Sequence, residues 1–227
     1  MGSPAPRIVV SFSTFASPEQ VDIVRRSRGD VAEMRLDLYP SQTVDDAVGE
    51  AEKFSGIATI VTPRSQAEGG KWRGSEAARL ALYRAVLPHV WAVDVELSSE
   101  AILPHVILTA HNAGKQVIVS FHDFRQTPPL DQLARIVASG FAHGADWVKV
   151  AAWAACREDV RRLAQLILGR DDGRLIVLAM GPIGSPSRIF FPALGSPLAY
   201  SHLGGSTAPG QMDYHEMATW FDRFYRT

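Results

Sequence analysis

The residue that most needs a chemical explanation is a lysine inside an apolar run. Lys149 stands in Trp147-Val148-Lys149-Val150-Ala151-Ala152. Burial among such neighbours disfavours the charged ammonium and leaves an amine able to attack a carbonyl carbon and form a Schiff base. The alternative is a lysine paired with an interior Glu or Asp, and this segment alone supports both readings equally. His122 closes a second apolar run, Val119-Ser120-Phe121-His122-Asp123-Phe124. An imidazole titrating near neutrality beside a Schiff base is suited to remove and return protons. Taken by itself, it reads more simply as a histidine hydrogen-bonded in a wall.

Arg64 and Glu68 lie in Thr62-Pro63-Arg64-Ser65-Gln66-Ala67-Glu68-Gly69-Gly70. The small residues of this turn would let backbone approach a ligand closely. Arg64 offers a bidentate fork for a carboxylate, and Glu68 is placed to orient His122 or neutralise a cation. The plainer account is a solvated loop with an exposed ion pair. Other candidates are weaker. His89, His105, His111 and His143 share no metal-ligand spacing and are expected at the surface, whereas His202 and His215 stay ambiguous. Cys156 starts a helix with no evident partner and reads as a small filler rather than a nucleophile. Arg25, Arg26 and Arg28 read as charge at a helix C-terminus.

The elements that must hold these residues alternate. Short β-branched apolar runs recur at Arg7 to Ser11, Val31 to Leu38, Ile57 to Thr62, Trp91 to Leu97, Gln116 to Ser120, Trp147 to Ala151, Leu175 to Met180 and Leu198 to Ser201. Between and after them, helical spacing covers Pro18 to Arg28, Val44 to Phe54, Ser75 to Leu87, Ala101 to Ala113, Leu130 to Ala142, Arg157 to Leu168, a weak segment near Ser187, and Tyr214 to Tyr225. Ser17 and Ser75 are the expected N-caps, and Gly29, Gly56, Gly114 and Gly144 fall just past helix ends. Alternating β and α units imply a parallel sheet covered by helices, and eight of them imply a single-domain α/β protein built as a (β/α)8 TIM barrel. A doubly wound open sheet is the competing architecture.

In a barrel the active site lies at the C-terminal ends of the strands, so polar residues there count most. That filter selects Glu33, Arg35 and Asp37, then Arg64 and Glu68, then Asp94 and Glu96. It continues with His122 and Asp123, Lys149, Arg188 and Gln211. Composition narrows the classes of function. The 227 residues carry 23 Lys plus Arg against 24 Asp plus Glu, a net charge of −1, which gives no electrostatic footprint for a nucleic acid. A single cysteine permits no intrachain disulfide or thiolate metal cluster and suits a reducing, cytoplasmic compartment. No apolar run approaches the roughly 18 residues of a membrane span, so no membrane partner is expected. Residues 1–6 read as a disordered or appended leader outside the barrel of residues 7–227.

Together the segments resemble type I 3-dehydroquinate dehydratase, the Schiff-base dehydratase of the shikimate pathway. The resemblance spans nearly the whole chain and rests on ordered motifs: Glu33-Met34-Arg35-Leu36-Asp37, then Thr62-Pro63-Arg64 through Glu68-Gly69-Gly70, then Ser120-Phe121-His122-Asp123-Phe124 with Thr127-Pro128. Asp146-Trp147-Val148-Lys149-Val150-Ala151, Met180-Gly181 with Ser187-Arg188, and Ala208-Pro209-Gly210-Gln211 complete the series. The resemblance implies that Lys149 condenses with the C3 ketone of 3-dehydroquinate and that His122 is the general acid and base, with Glu68 as its partner. It further implies substrate contacts from Glu33, Arg35, Arg64, Arg188, Thr207 and Gln211, with Arg188 the better match for the substrate carboxylate. Such a reaction uses neither a metal nor an organic cofactor, and the family resemblance suggests a homodimer.

Two positions depart from the family pattern. Met34 stands where an aromatic residue is common, and Thr207 where a serine is common. The segment Val9-Val10-Ser11-Phe12-Ser13 matches only loosely, so no substrate contact is carried onto it. The rival enzyme is a class I aldolase of sugar phosphates, which would use Lys149 in the same way and needs a phosphate site, for which Gly204-Gly205-Ser206 offers backbone amides. The non-enzymatic rival is a barrel that binds a metabolite without turning it over.

Overall fold

The computed structural model describes residues 5–27 and 29–226, so the first four residues of the expected leader and Arg28 lie outside the described residues. The chain alternates as β1 (Arg7–Phe12), α1 (Pro18–Arg26), β2 (Val31–Met34), α2 (Val44–Lys53), β3 (Thr59–Val61), α3 (Glu76–Val86), β4 (Ala92–Glu96) and α4 (Leu103–Asn112). It continues as β5 (Gln116–Asp123), α5 (Leu130–Ala142), β6 (Trp147–Trp153), α6 (Arg157–Leu168), β7 (Leu175–Met180), the single turn α7 (Ser187–Phe190), β8 (Leu198–His202), β9 (Met212–Asp213) and α8 (Tyr214–Phe224).

Local chemistry accounts for the helix starts. Ser17 accepts the Gln20 N–H at 3.3 Å while the Gln20 side chain accepts the Ser17 N–H at 2.9 Å, a reciprocal cap that satisfies two otherwise unpaired donors. Pro18 supplies a fixed φ at the first helical position, and Ser75 caps α3 through Ala78. Gly29, Gly56, Gly114 and Gly144 all adopt the left-handed conformation that terminates a helix.

The sheet order β7-β6-β5-β4-β3-β2-β1-β8-β9 places sequence neighbours side by side and brings β8 back against β1. All of its pairs are parallel, including Val9 beside both Val31 and Tyr200. A doubly wound sheet would reverse its order part-way, so this winding is that of a barrel. Among the described residues no backbone ladder joins β7 to β8. There Ser196 Oγ accepts the Val177 N–H at 3.2 Å and donates to the Leu198 carbonyl at 3.4 Å, bridging the seam by a side chain.

Side-chain alternation then builds two interior layers. The lower is apolar, with Val9, Val31, Ile60, Ala92, Ile118, Ile176 and Leu198 in one buried cluster. Two residues further along each strand, the same inward parity gives Ser11, Glu33, Thr62, Asp94, Ser120, Leu178 and Tyr200, with Lys149 two beyond Trp147. The barrel interior thus changes from apolar to polar where the chemistry was expected. The outward residues, among them Val10, Ala32, Val61, Val93, Val119 and Val148, pack in the larger cluster beneath the helices.

Three strand expectations are corrected. The run Val31 to Leu38 is not one strand: β2 stops at Met34, and Leu36–Leu38 forms a 3-10 turn. Arg35 leaves the extended conformation at ψ 70°, and Asp37 folds back to accept its guanidinium twice at 2.9 Å. Conversely, β5 and β6 run on to Asp123 and Trp153 because His122 and Asp123 keep pairing with Ala151 and Ala152. The weak unit near Ser187 is the one-turn α7 flanked by 3-10 turns, and β9 has no counterpart among the expected elements.

Candidate active site

One cavity at the C-terminal mouth of the barrel is lined by Ser11, Glu33, Arg35, Arg64, Glu68, His122, Phe124, Lys149, Ala151, Leu178, Met180, Arg188, Tyr200, Thr207, Ala208 and Gln211. The strand-end residues Asp37, Asp94, Glu96 and Asp123 are not among them, whereas all nine residues that the resemblance assigns to the site are. They come from strands far apart in the chain, because every second residue of a barrel strand faces inward.

Lys149 is buried, and its surroundings are carboxylates in place of the apolar wall, the second of the two readings open from its own strand. Its Nζ lies 2.5 Å from Asp94 Oδ2 and 3.9 Å from Glu33 Oε1. These carboxylates, from β4 and β2, realise the paired lysine that the sequence left open beside the apolar wall. Asp94 is itself tied down: its Oδ1 accepts Arg64 Nη2 at 2.8 Å and Ser120 Oγ at 2.6 Å. Burial pushes Asp94 up, but Arg64, Lys149 and His122 outweigh it and hold the carboxyl well below the ordinary range. Glu33 accepts from Ser11 at 2.7 Å and Thr62 at 2.9 Å.

Arg64 spends its fork inside this network. Besides Asp94 it reaches Glu96 Oε1 at 3.0 Å and Ser120 Oγ at 2.7 Å, so it is a buried structural cation at the cavity wall and not a free carboxylate receptor. Glu96 also holds the buried Arg79 of α3 at 2.8 Å, which anchors the network to the outer helices. The glycines following Glu68 serve the turn itself. A Cβ on Gly70 would stand 2.2 Å from the Arg64 carbonyl oxygen, so Gly70 permits chain to pack on chain, not on a ligand.

Glu68 and His122 form a second unit. Glu68 Oε2 lies 2.9 Å from His122 Nδ1 and accepts the His122 backbone N–H at 2.9 Å, while Ser98 Oγ donates to Oε1 at 2.5 Å. With Nδ1 engaged, Nε2 is the ring nitrogen left for chemistry. Burial pushes Glu68 up to about 7 against the pull of Arg64 and Ser98. Burial, then Arg64 and Lys149, lower His122 well below its ordinary value, so the imidazole is neutral at pH 7 and competent as a base. His122 sits one register step from Lys149: Ser120 pairs with Lys149, and His122 with Ala151.

Arg188 is different from every other buried cation here. Among the described residues it donates only to backbone carbonyls, Gly210 at 2.7 Å, Tyr200 at 3.1 Å and Pro209 at 3.3 Å. Among the described residues no carboxylate pairs with it, and burial alone lowers it to about 10. Its charge is thus uncompensated at the cavity wall, where an anion would be stabilised. The same contacts hold the loop 207–211 over the cavity. Gln211 Oε1 accepts the Thr207 N–H at 2.7 Å and Oγ1–H at 2.9 Å, and Gln211 Nε2 donates to the Ser201 carbonyl at 2.7 Å. Thr207 keeps a hydroxyl where serine was expected.

Arg35 faces the cavity with its guanidinium braced by Asp37. Sequence reasoning missed Ser11, which joins Glu33 to Gln211 Nε2 at 3.3 Å, and Tyr200; inward parity on β1 and β8 was the available signal. Asp123 caps the following turn through Arg125 and Gln126 and does not line the cavity. Cys156 is exposed at the start of α6 and is therefore not a buried filler.

The chain is similar to known proteins over nearly its whole length. The profile of the type I 3-dehydroquinase family matches residues 8–225. The chain belongs to the type I 3-dehydroquinase family. A 3-dehydroquinate dehydratase of Methanosarcina barkeri is 36% identical over 201 residues, covering 83% of this chain and 82% of that protein. One of Methanococcoides burtonii is 31% identical over 216 residues, covering 93% and 91%. The crystal structure of the 3-dehydroquinate dehydratase from Aquifex aeolicus superimposes with a TM-score of 0.86 at 29% identity, covering 97% of this chain and 100% of that one.

Proposed function

We propose that this chain dehydrates 3-dehydroquinate to 3-dehydroshikimate through a Schiff base at Lys149. The observation that carries the reading is one cavity holding three things: the Lys149 amine, a buried histidine braced by a carboxyl, and a buried arginine that among the described residues has no carboxylate partner. Together they suit a carboxylated ring ketone.

Lys149 gives one ammonium proton to His122 and adds as the amine to the C3 ketone, and water then leaves with the proton that His122 returns, giving an iminium. His122 then takes a proton from C2, and the electron pair runs into the iminium as an enamine. The enamine expels the C1 hydroxyl, which leaves as water with the proton that His122 returns. A second water hydrolyses the imine, releasing product and the amine, so one water is lost overall. Glu68 holds the imidazole at Nδ1, and Arg188 holds the substrate carboxylate. Glu33, Arg35, Thr207 and Gln211 position the ring hydroxyls, and Arg64 fixes Asp94 and thereby the amine.

A sugar-phosphate aldolase would use the same lysine but needs a phosphate site. Gly204-Gly205-Ser206 does not line the cavity, and the neighbouring Leu203 carbonyl is held by Gln20 of α1 at 3.2 Å. The same reading takes residues 7–227 as one catalytic domain, acting in the cytoplasm as a homodimer. Among the described residues no helix is long and apolar enough to cross a membrane.

Borohydride trapping followed by mass spectrometry tests the nucleophile. The parent protein gains the mass of a reduced substrate adduct, Lys149→Ala gains none, and His122→Ala gains it slowly. Equal labelling of Lys149→Ala would assign the nucleophile elsewhere.

A further inference from the structure

Tyr200 belongs to none of the roles above, yet it stands at the reacting atom. It is 4% exposed, on β8, and lines the cavity. Lys149 Nζ lies 4.6 Å from its ring centroid, over the face. Among the described residues its hydroxyl has no hydrogen-bond partner although it is buried. Its position is fixed from behind, since its backbone carbonyl accepts Arg188 Nη1 at 3.1 Å.

We propose that Tyr200 is a further catalytic residue of this site: its ring face stabilises the positive charge that Nζ carries as ammonium and then as iminium, and its hydroxyl donates a hydrogen bond to an oxygen of the bound substrate. A cation within about 6 Å of an aromatic face is attracted by the ring quadrupole, the more so when desolvated. A buried hydroxyl without a partner destabilises the free protein, and such a group in a ligand cavity is satisfied when an oxygen-rich ligand enters. Burial and the nearby carboxylates of Glu33 and Asp94 keep the phenol protonated well above its ordinary range, so it acts as a donor.

This inference rests on the proposed dehydratase reading, and two variants separate them. Tyr200→Phe keeps the ring and removes the hydroxyl. Its kcat/KM for 3-dehydroquinate is expected to fall about 3- to 10-fold while its Tm stays equal or rises, because an unpaired buried group has been removed. A merely structural hydroxyl would lower Tm instead. Tyr200→Leu also removes the ring and is expected to lower the borohydride-trapped fraction about 3- to 30-fold below that of Tyr200→Phe. An active parent with Tyr200→Phe within twofold of it, or with a lowered Tm for that variant, overturns the role of the hydroxyl. Trapping by Tyr200→Leu equal to that by Tyr200→Phe overturns the role of the ring. A parent silent on 3-dehydroquinate overturns the functional reading, and this inference with it. If Tyr200→Leu does not fold, Tyr200→Phe alone decides the hydroxyl, and Tyr200→Trp, which keeps an aromatic face, decides the ring by retaining the trapped fraction.

Discussion

Replacing Glu68 by glutamine tests the electrostatics of the site through stability. The carboxyl is 6% exposed, and burial raises it from 4.5 to about 7 despite Arg64, Ser98 and His122. A carboxyl raised in the folded state favours folding while it is protonated. That contribution is fully present below the unfolded value near 4.5 and is lost as pH rises through about 7. The shift of about 2.5 units at about 1.36 kcal/mol per unit gives a loss of about 3 kcal/mol. Glutamine copies the neutral acid in size: its oxygen accepts the His122 N–H, and its amide N–H donates to Ser98 Oγ, which then acts as the acceptor. Urea unfolding should therefore show Glu68→Gln equal to the parent at pH 4.5 and more stable by up to about 3 kcal/mol at pH 8. Titrations distant from Glu68 cancel in this double difference. The same variant should lose the rise in kcat/KM that accompanies Glu68 ionisation near pH 7, since only the carboxylate fully engages Nδ1–H. A parent that gains stability over Glu68→Gln between pH 4.5 and 8 would refute the reasoning, because the folded protein would then favour the carboxylate.

Two further substitutions probe the charge network. Asp94→Asn leaves Lys149 and Arg64 buried without their shared anion and should cost about 3–5 kcal/mol in urea unfolding, with turnover reduced; a cost below about 1 kcal/mol would mean the pair is not coupled to the fold. Arg188→Lys keeps the charge but loses the planar fork, and should raise KM for the carboxylated substrate about 10-fold with a smaller change in kcat; an unchanged KM in steady-state kinetics would move the carboxylate site elsewhere.

Much of the architecture was legible because periodicity is a local property. Leu130–Ala142, Arg157–Leu168 and Leu175–Met180 appear with the expected bounds, and the Ser17 cap forms as its residues dictate. Errors fell where side chains override backbone preference. The Arg35–Asp37 pair turns the chain out of β2, and cross-strand pairing prolongs β5 and β6 past their apolar runs. At the site, Lys149, His122 and Glu68 were recognisable from strand-end position and from the ordered motifs. Which carboxylates meet Lys149 was not, because Asp94 and Glu33 reach it from strands 55 and 116 residues away in sequence. Arg64 and Arg188 look alike in the sequence, and only their partners distinguish them. One is saturated by Asp94 and Glu96; the other meets carbonyls alone.

The most direct test mixes the purified protein with 3-dehydroquinate and follows the ultraviolet absorbance of the conjugated enone, with Lys149→Ala in parallel. The account predicts a steady rise with the parent protein and none with the variant. A silent parent, or a variant as fast as the parent, would contradict it.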